Sequence, residues 1–342
     1  MGPSPPSGPI PRSPAPDRGP VLSRKPPSCR RLRAARRRLT CRSGRTVGRP
    51  RRVAFPATDR TRRHVRRTCP RDNHLHLDPV DGRGVEAAAA FADAGGTHLH
   101  VLNKPSWDLV GEVDGPDGFR ETFEMTVEVT READELLDGR AWPVLGVHPG
   151  LISQLLDQGY DPDGAADLMR TGIDVAAEFV ADGPALAVKS GRPHYDVDEA
   201  VRAASNAVMR HAFERGAEVG CAVQLHTEGG EDFATVAEWA EDAGLPRERV
   251  IKHYADGRVD GPVPSVICDK DELERACAGD WPFLMETDFI DDPDRPGAVF
   301  GPKTVPRRTK WLAEQGYETA LRRAHVETPA RVYGVNTEAT LD

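Results

Sequence analysis

Long apolar runs are missing from this 342-residue chain. None approaches the roughly 18 consecutive apolar residues of a membrane-spanning helix, so nothing reads as crossing a membrane. Paired cysteines are missing too. Cys29, Cys41, Cys69, Cys221, Cys268 and Cys277 contain no CxxC, which excludes a disulfide framework and a zinc knuckle. Cys221 and Cys268 fall inside apolar runs and read as small buried hydrophobes. A secretory signal needs an apolar core of roughly 7–15 residues, and the N-terminal region has none, so a cytoplasmic location is expected. An organellar presequence would share the Arg-rich, acid-poor composition found there, but it needs an amphipathic period that is absent. No GxGxxG follows the first strand candidate either. Gly82-Arg83-Gly84 has no third glycine, which argues against an open dinucleotide-binding sheet.

Lysine is scarce after residue 70: Lys104, Lys189, Lys252, Lys270, Lys303 and Lys310 are the only six. Residues 1–70 are different. They carry 20 Lys+Arg against Asp17 and Asp59, and 13 of the 30 prolines. Apolar residues there are too few to offset the entropy of ordering, so 1–70 reads as a disordered basic extension. An arm that contacts nucleic acid is its functional reading, and an upstream extension without a role is the plainer one. Taking those 20 basic and two acidic residues from the chain totals of 46 and 54 leaves 26 and 52, a net charge of −26 over 71–342. Such self-repulsion works against a compact fold in dilute buffer. It is screened where salt is molar and the Debye length falls to about 3 Å. A halophilic cytoplasm is therefore expected, with fold and activity lost at low ionic strength.

From residue 71 onward, short apolar runs alternate with longer amphipathic ones. Strands are predicted at 72–77, 97–102, 142–148, 184–189, 221–226, 250–253, 264–268 and 282–287. Helices are predicted at 84–93, 119–137, 164–180, 197–218, 232–243, 270–278 and 304–315. Eight such units over 71–342 match a (β/α)8 TIM barrel in count and size. In that architecture the chemistry gathers at the carboxyl ends of the strands.

Polar residues close these runs where that rule wants them. His74 and His76 (DNHLHLD) end the first strand candidate and share one face, being two apart. His226 (QLHTE), His253 (IKHYA) and Asp288 (METDF) end or follow the fifth, sixth and eighth. His148 (GVHPG) and Lys189 (LAVKSG) end the third and fourth. Imidazoles combined with carboxylate oxygens suit zinc or a related divalent ion. His98 and His100 form a second HxH (THLHVL); lying mid-strand or facing outward, they are expected to be structural. His211 reads as a helix histidine, Lys104 as a turn residue, and Glu228 and Asp256 as partners of His226 and His253 or as solvated acids.

This ligand order resembles the amidohydrolase superfamily of metal-dependent hydrolases. GVHP at 146–149 and ETPARVYG at 327–334 narrow the resemblance to TatD-related hydrolases, over about residues 71–336. The resemblance implies two metal positions. His74, His76 and Asp288 would hold the more buried ion, and His226 and His253 the more exposed one. It also implies a bridging Glu on the fourth strand, within a motif resembling GEIG. This chain reads VKSG at 188–191. Other superfamily members bridge with a lysine carboxylated on its side-chain nitrogen, so Lys189 is either carboxylated or points elsewhere beside a single metal. An unmodified ammonium between two dications would be strongly unfavourable.

The expected cofactor is one or two divalent ions, zinc first, with manganese or magnesium as alternatives. The expected reaction is attack of metal-activated water on a phosphodiester or on a small ester or amide bond. Asp288 is expected to hold metal and accept the proton. His148, Arg192 and His194 are expected to bind the electrophile's oxygen, with His148 also catalytic. Two other outcomes stay open: a non-catalytic or mononuclear metal-binding barrel, degenerate at Lys189, and a mononuclear deaminase. A nucleic-acid substrate is disfavoured by the charge of −26, which repels polyanions.

Overall fold

The computed structural model describes residues 69–138, 140–294 and 300–335. The expected basic extension at 1–70 lies outside the described residues except for its last two positions. The strands are β1 (Arg71–His76), β2 (His98–Leu102), β3 (Ala141–Gly146), β4 (Ala187–Gly191), β5 (Ala222–His226), β6 (Val250–Ala255), β7 (Val263–Ile267), β8 (Leu284–Glu286) and β9 (Phe289–Ile290). Every pairing is parallel, in the order β8-β7-β6-β5-β4-β3-β2-β1-β9. β8 and β9 are one extended segment, interrupted only at Thr287 and Asp288. β8 pairs with β7 while β9 pairs with β1 (Leu75 opposite Phe289, His76 opposite Ile290), so the ring closes. The fold is the expected (β/α)8 barrel.

The helices are α1 (Val85–Asp93), α2 (Ser106–Leu109), α3 (Pro116–Leu136), α4 (Leu151–Asp157), α5 (Pro162–Ala181), α6 (Glu199–Val219), α7 (Ala234–Asp242), α8 (Lys270–Ala278), α9 (Thr304–Glu314), α10 (Glu318–Arg322) and α11 (Thr328–Tyr333). Local signals set their ends. Asp161 caps α5 by accepting from the Gly164 amide at 2.7 Å, with Pro162 in the first turn. Gly220 ends α6 in the left-handed conformation at φ 72°. The short α2, α4, α10 and α11 were not predicted, since four to seven residues give too little periodicity to recognise.

Two apolar clusters fill the space between the helices and the outer faces of the strands. One centres on Phe119, Phe123 and Phe213, the other on Phe91, Leu99 and Phe283. A third lies inside the barrel, where β2 to β8 contribute one residue each: Leu102, Val144, Ala187, Ala222, Ile251, Val263 and Leu284. Val332 of α11 closes this layer. Side chains two positions further along a strand share its face. The next residues inward are therefore Gly146, Lys189, Gln224, His253, Ser265 and Glu286, and the interior turns from apolar to polar as it approaches the carboxyl rim.

At the opposite end sits a buried polar cluster around Arg71. Its amide donates to His325 Nδ1 at 3.1 Å, and His100 and His98 lie alongside. Neither member of the second HxH faces outward. Both are buried, and His100 contacts Asn73 and Tyr333 inside the barrel. Desolvation first, then the Arg71 charge, lowers His325 to about 3, His98 to about 2, and His100 well below 6.5. A base depressed by folding binds its proton only in the unfolded chain below pH 6.5. Its stabilisation is complete above that pH and is lost as the pH falls, at about 1.4 kcal/mol per pH unit for each group. His325→Gln removes one such group. Urea unfolding between pH 6 and 5, with metal chelated, should show wild type losing about 1.4 kcal/mol more over that unit than the variant. Equal slopes would mean that His325 is protonated in the folded protein.

Candidate metal centre

Three backbone irregularities aim the candidate ligands. The β1–β2 register slips between Asp72 and Leu75, and Asn73 and His74 both make contacts inside the barrel. The β6–β7 register slips between Lys252 and Ala255, where Tyr254 has φ 54°. Asp288 has φ 48° at the break between β8 and β9. Bulges and left-handed non-glycine residues are costly and cluster where a side chain must be re-aimed. The Asp288 turn is pinned from both sides: its amide donates to the His74 carbonyl at 3.0 Å. Asp72 accepts from the Thr287 amide at 3.0 Å and from the Thr287 hydroxyl at 2.6 Å. Gly191 serves the same rim, because a Cβ there would lie 1.8 Å from the His226 carbonyl oxygen.

The side chains so placed converge. His74 Nε2 lies 3.8 Å and His253 Nε2 4.0 Å from Asp288 Oδ1. The His74 and His253 rings stack with centroids 3.6 Å apart, and the His226 ring is 5.3 Å from His253. His148 reaches the cluster from beyond β3, its ring centroid 4.7 Å from that of His226. His194 Nδ1 is 3.1 Å from His226 Nε2. One ligand atom from each of His74, His76 and Asp288 lies within 4.8 Å of the others, and the same holds for His74, His253 and Glu286.

Burial dominates the electrostatics. It lowers His74, His76, His148, His226 and His253 well below 6.5, and the Lys189 charge lowers all five further. Lys189 therefore stands among them. It is itself buried, and desolvation brings it down to about 8 against the raising pull of Asp288 and Glu286. Glu286 is pushed well above the carboxylate range by burial and then by Asp288.

The donor set fits a divalent ion. His76 Nδ1 lies 3.1 Å from the Leu102 carbonyl, which can only accept, so the lone pair is on Nε2. His74 Nε2 is buried with no hydrogen-bond partner among the described residues. A neutral imidazole nitrogen without a donor, beside a carboxylate, is a ligand in waiting.

Residues 71–262 match the family model described as TatD related DNase. The chain belongs to the TatD-related DNase family. It is also 32% identical over 284 residues to the uncharacterized protein MJ1127 of Methanocaldococcus jannaschii, covering 78% of this chain and 96% of that one. Among solved structures, the barrel is similar to the organophosphorus hydrolase from Deinococcus radiodurans (15% identity, 79% of this chain and 94% of that chain, TM-score 0.51). It is equally similar to a mutant of a phosphotriesterase-like lactonase from the same organism (15% identity, 79% and 97%, TM-score 0.51). At that identity the likeness is one of fold, and it agrees with the barrel derived from the strand pairing.

For a TatD-related chain, the rim places the predicted residues in two sets. His74, His76, His148, Lys189, His226, His253 and Asp288 come together, with His194 at the exposed edge. Arg192 does not point freely into the site. Its Nε donates to Glu228 Oε2 at 2.9 Å, its Nη2 to Glu228 Oε1, and its Nη1 to Asn206 Oδ1 at 3.1 Å. Glu228 is thus the counter-ion of Arg192. Lys104 is likewise held, 2.6 Å from Asp78 Oδ2. Glu286 escaped the sequence reading because it sits inside the apolar LMET run; its signal was the i, i+2 spacing to Asp288. His253 Nδ1 is 2.7 Å from its Oε1, although the approach is off the line of a hydrogen bond.

Proposed function

We propose that this TatD-related protein is a divalent-metal hydrolase of small ester or phosphoester substrates rather than of nucleic-acid chains. One observation supports the hydrolytic reading above others: five neutral imidazoles and two carboxyl groups meet at one rim of the barrel. The reading takes zinc as the metal, a binuclear centre, and an acidic protein adapted to a saline cytoplasm.

A bound divalent ion would supply an acidified water, its pKa brought towards about 7, and a Lewis acid for the electrophile's oxygen. His74, His76 and Asp288 would hold one such ion. His226 and His253 would hold the second, with Lys189, carboxylated, between them. Asp288, half-buried beside the imidazoles, accepts the proton as water attacks. His148 can donate in return. Its Nδ1 accepts from the Gly150 amide at 3.1 Å, so its proton is on Nε2, available to an oxygen that gains charge.

Substrate size follows from the cations. Nucleases neutralise backbone phosphates with Lys and Arg, whereas here Lys104 is held by Asp78, and Arg192 and Arg202 by Glu228. Lys189 itself favours one competing reading, a barrel holding a single ion. Metal analysis of protein prepared with and without bicarbonate distinguishes them: about two ions per chain with bicarbonate supports the binuclear hydrolase, and one in both preparations supports the other. Assays of metal-loaded protein on p-nitrophenyl esters, a lactone, bis(p-nitrophenyl) phosphate and single-stranded DNA should give the highest kcat/KM on a small substrate. DNA turned over fastest would refute the substrate claim, and ammonia released from an amine panel would point to a deaminase.

A further inference from the structure

We infer that Gln224 and Tyr333 are positioning residues: with Asn73 and His100 they form a hydrogen-bond chain inside the barrel that runs from Arg71, at the amino end, to His74 at the metal centre, and holds His74 with its proton on Nδ1 and its lone pair on Nε2. The inference rests on the metal-centre reading above for its purpose, though not for its geometry.

Arg71, His100, Asn73, Gln224 and His74 are buried and Tyr333 is partly buried, and each donor is fixed by the one before it. A guanidinium can only donate, so Arg71 Nη1, 2.8 Å from His100 Nε2, forces that nitrogen to accept. A neutral His100 then carries its proton on Nδ1 and donates to Asn73 at 2.9 Å. Asn73 must therefore present Oδ1 there, and its Nδ2 donates to Ser265 Oγ at 3.0 Å. The Tyr333 hydroxyl lies 2.7 Å from the same Oδ1, so it too donates. Its oxygen is left to accept from Gln224 Nε2 at 2.8 Å. The Gln224 amide is oriented a second time, independently, because Nε2 is also 3.1 Å from the Asn73 carbonyl oxygen. Gln224 Oε1 consequently faces His74 Nδ1 at 2.9 Å and accepts its proton.

That leaves His74 Nε2 buried and, among the described residues, without a hydrogen-bond partner, 3.8 Å from Asp288 Oδ1. A histidine whose second nitrogen donates to a fixed oxygen has its tautomer and ring orientation set before metal arrives. The anchor is a group that does not titrate in the working range, so the polarity of the whole line is permanent. Tyr333 comes from α11, the last described helix, which gives that helix a task beyond filling the barrel floor.

The test is the protonation pattern of full-length, metal-stripped protein labelled with nitrogen-15 in histidine, together with zinc affinity measured against a chromogenic chelator. Wild type should show His74 and His100 with the proton on Nδ1. Gln224→Leu should let His74 populate both tautomers and weaken the tighter zinc site about 10–100-fold. Tyr333→Phe, which removes only one oxygen from the line, should weaken it in the same direction by less. A proton on His74 Nε2 in the wild-type protein would overturn the inference, whatever the substrate proves to be. So would zinc affinity within twofold of wild type in both variants. Loss of affinity that merely follows a lower melting temperature of the stripped variants, with the His74 tautomer unchanged, would reduce the line to a structural one.

Discussion

Asp288→Asn should lower kcat by about 10³-fold while leaving the barrel and most of its metal affinity intact. The expectation is unusually clean at this position. Asp288 adopts φ 48°, and asparagine is among the few side chains that tolerate the left-handed region. The Asp72–Thr287 latch and the Asp288 amide bond to the His74 carbonyl involve no atom that the substitution changes. What disappears is a carboxylate oxygen able to take a proton next to His74 and His253. KM should therefore move little and the melting temperature by no more than a few degrees. Asp288→Ala would confuse the result by adding left-handed strain to a lost ligand. Turnover of the Asn variant within tenfold of wild type, with metal bound, would show that another group receives the proton.

The barrel was legible because its evidence is repeated: six of the eight strand candidates end in or are followed by a candidate site residue, and the residues between strands carry a helical period. The HxH at 74 and 76 gained meaning from His226, His253 and Asp288 following in order, whereas the HxH at 98 and 100 stood at the start of its strand and built the opposite end of the barrel. Sequence could not show the inward-facing polar layer. Gln224, Ser265 and Glu286 each occupy an interior position, and only the closed ring reveals that they face one another. The register slips near His74 and Tyr254 and the left-handed turn at Asp288 were equally hidden, since neither a one-residue slip nor a single turn leaves a mark on an apolar pattern. Arg192 shows the converse. A basic residue after a ligand-bearing strand suggests substrate binding, yet Glu228, in the loop after the next strand, pairs with it.

Lys189→Met should separate function from stability in opposite directions. Methionine fills a similar volume without charge, so it removes an ammonium that burial has already brought down to about 8. In metal-stripped protein, exchanging a buried cation that Asp288 and Glu286 only partly offset for an apolar side chain should stabilise the fold by about 1–4 kcal/mol. In metal-loaded protein the same change should reduce bound metal from two ions to one, because no side chain remains that carbon dioxide could convert into a bridging carbamate. Rate should then fall by about 10³-fold, the equivalent of several kcal/mol of transition-state charge stabilisation by the missing ion. Gain of stability together with loss of activity is the mark of a residue retained for chemistry against its own folding cost. Were the variant more stable with unchanged metal content and rate, Lys189 would be a burden without a task, and the single-ion reading of this barrel would stand.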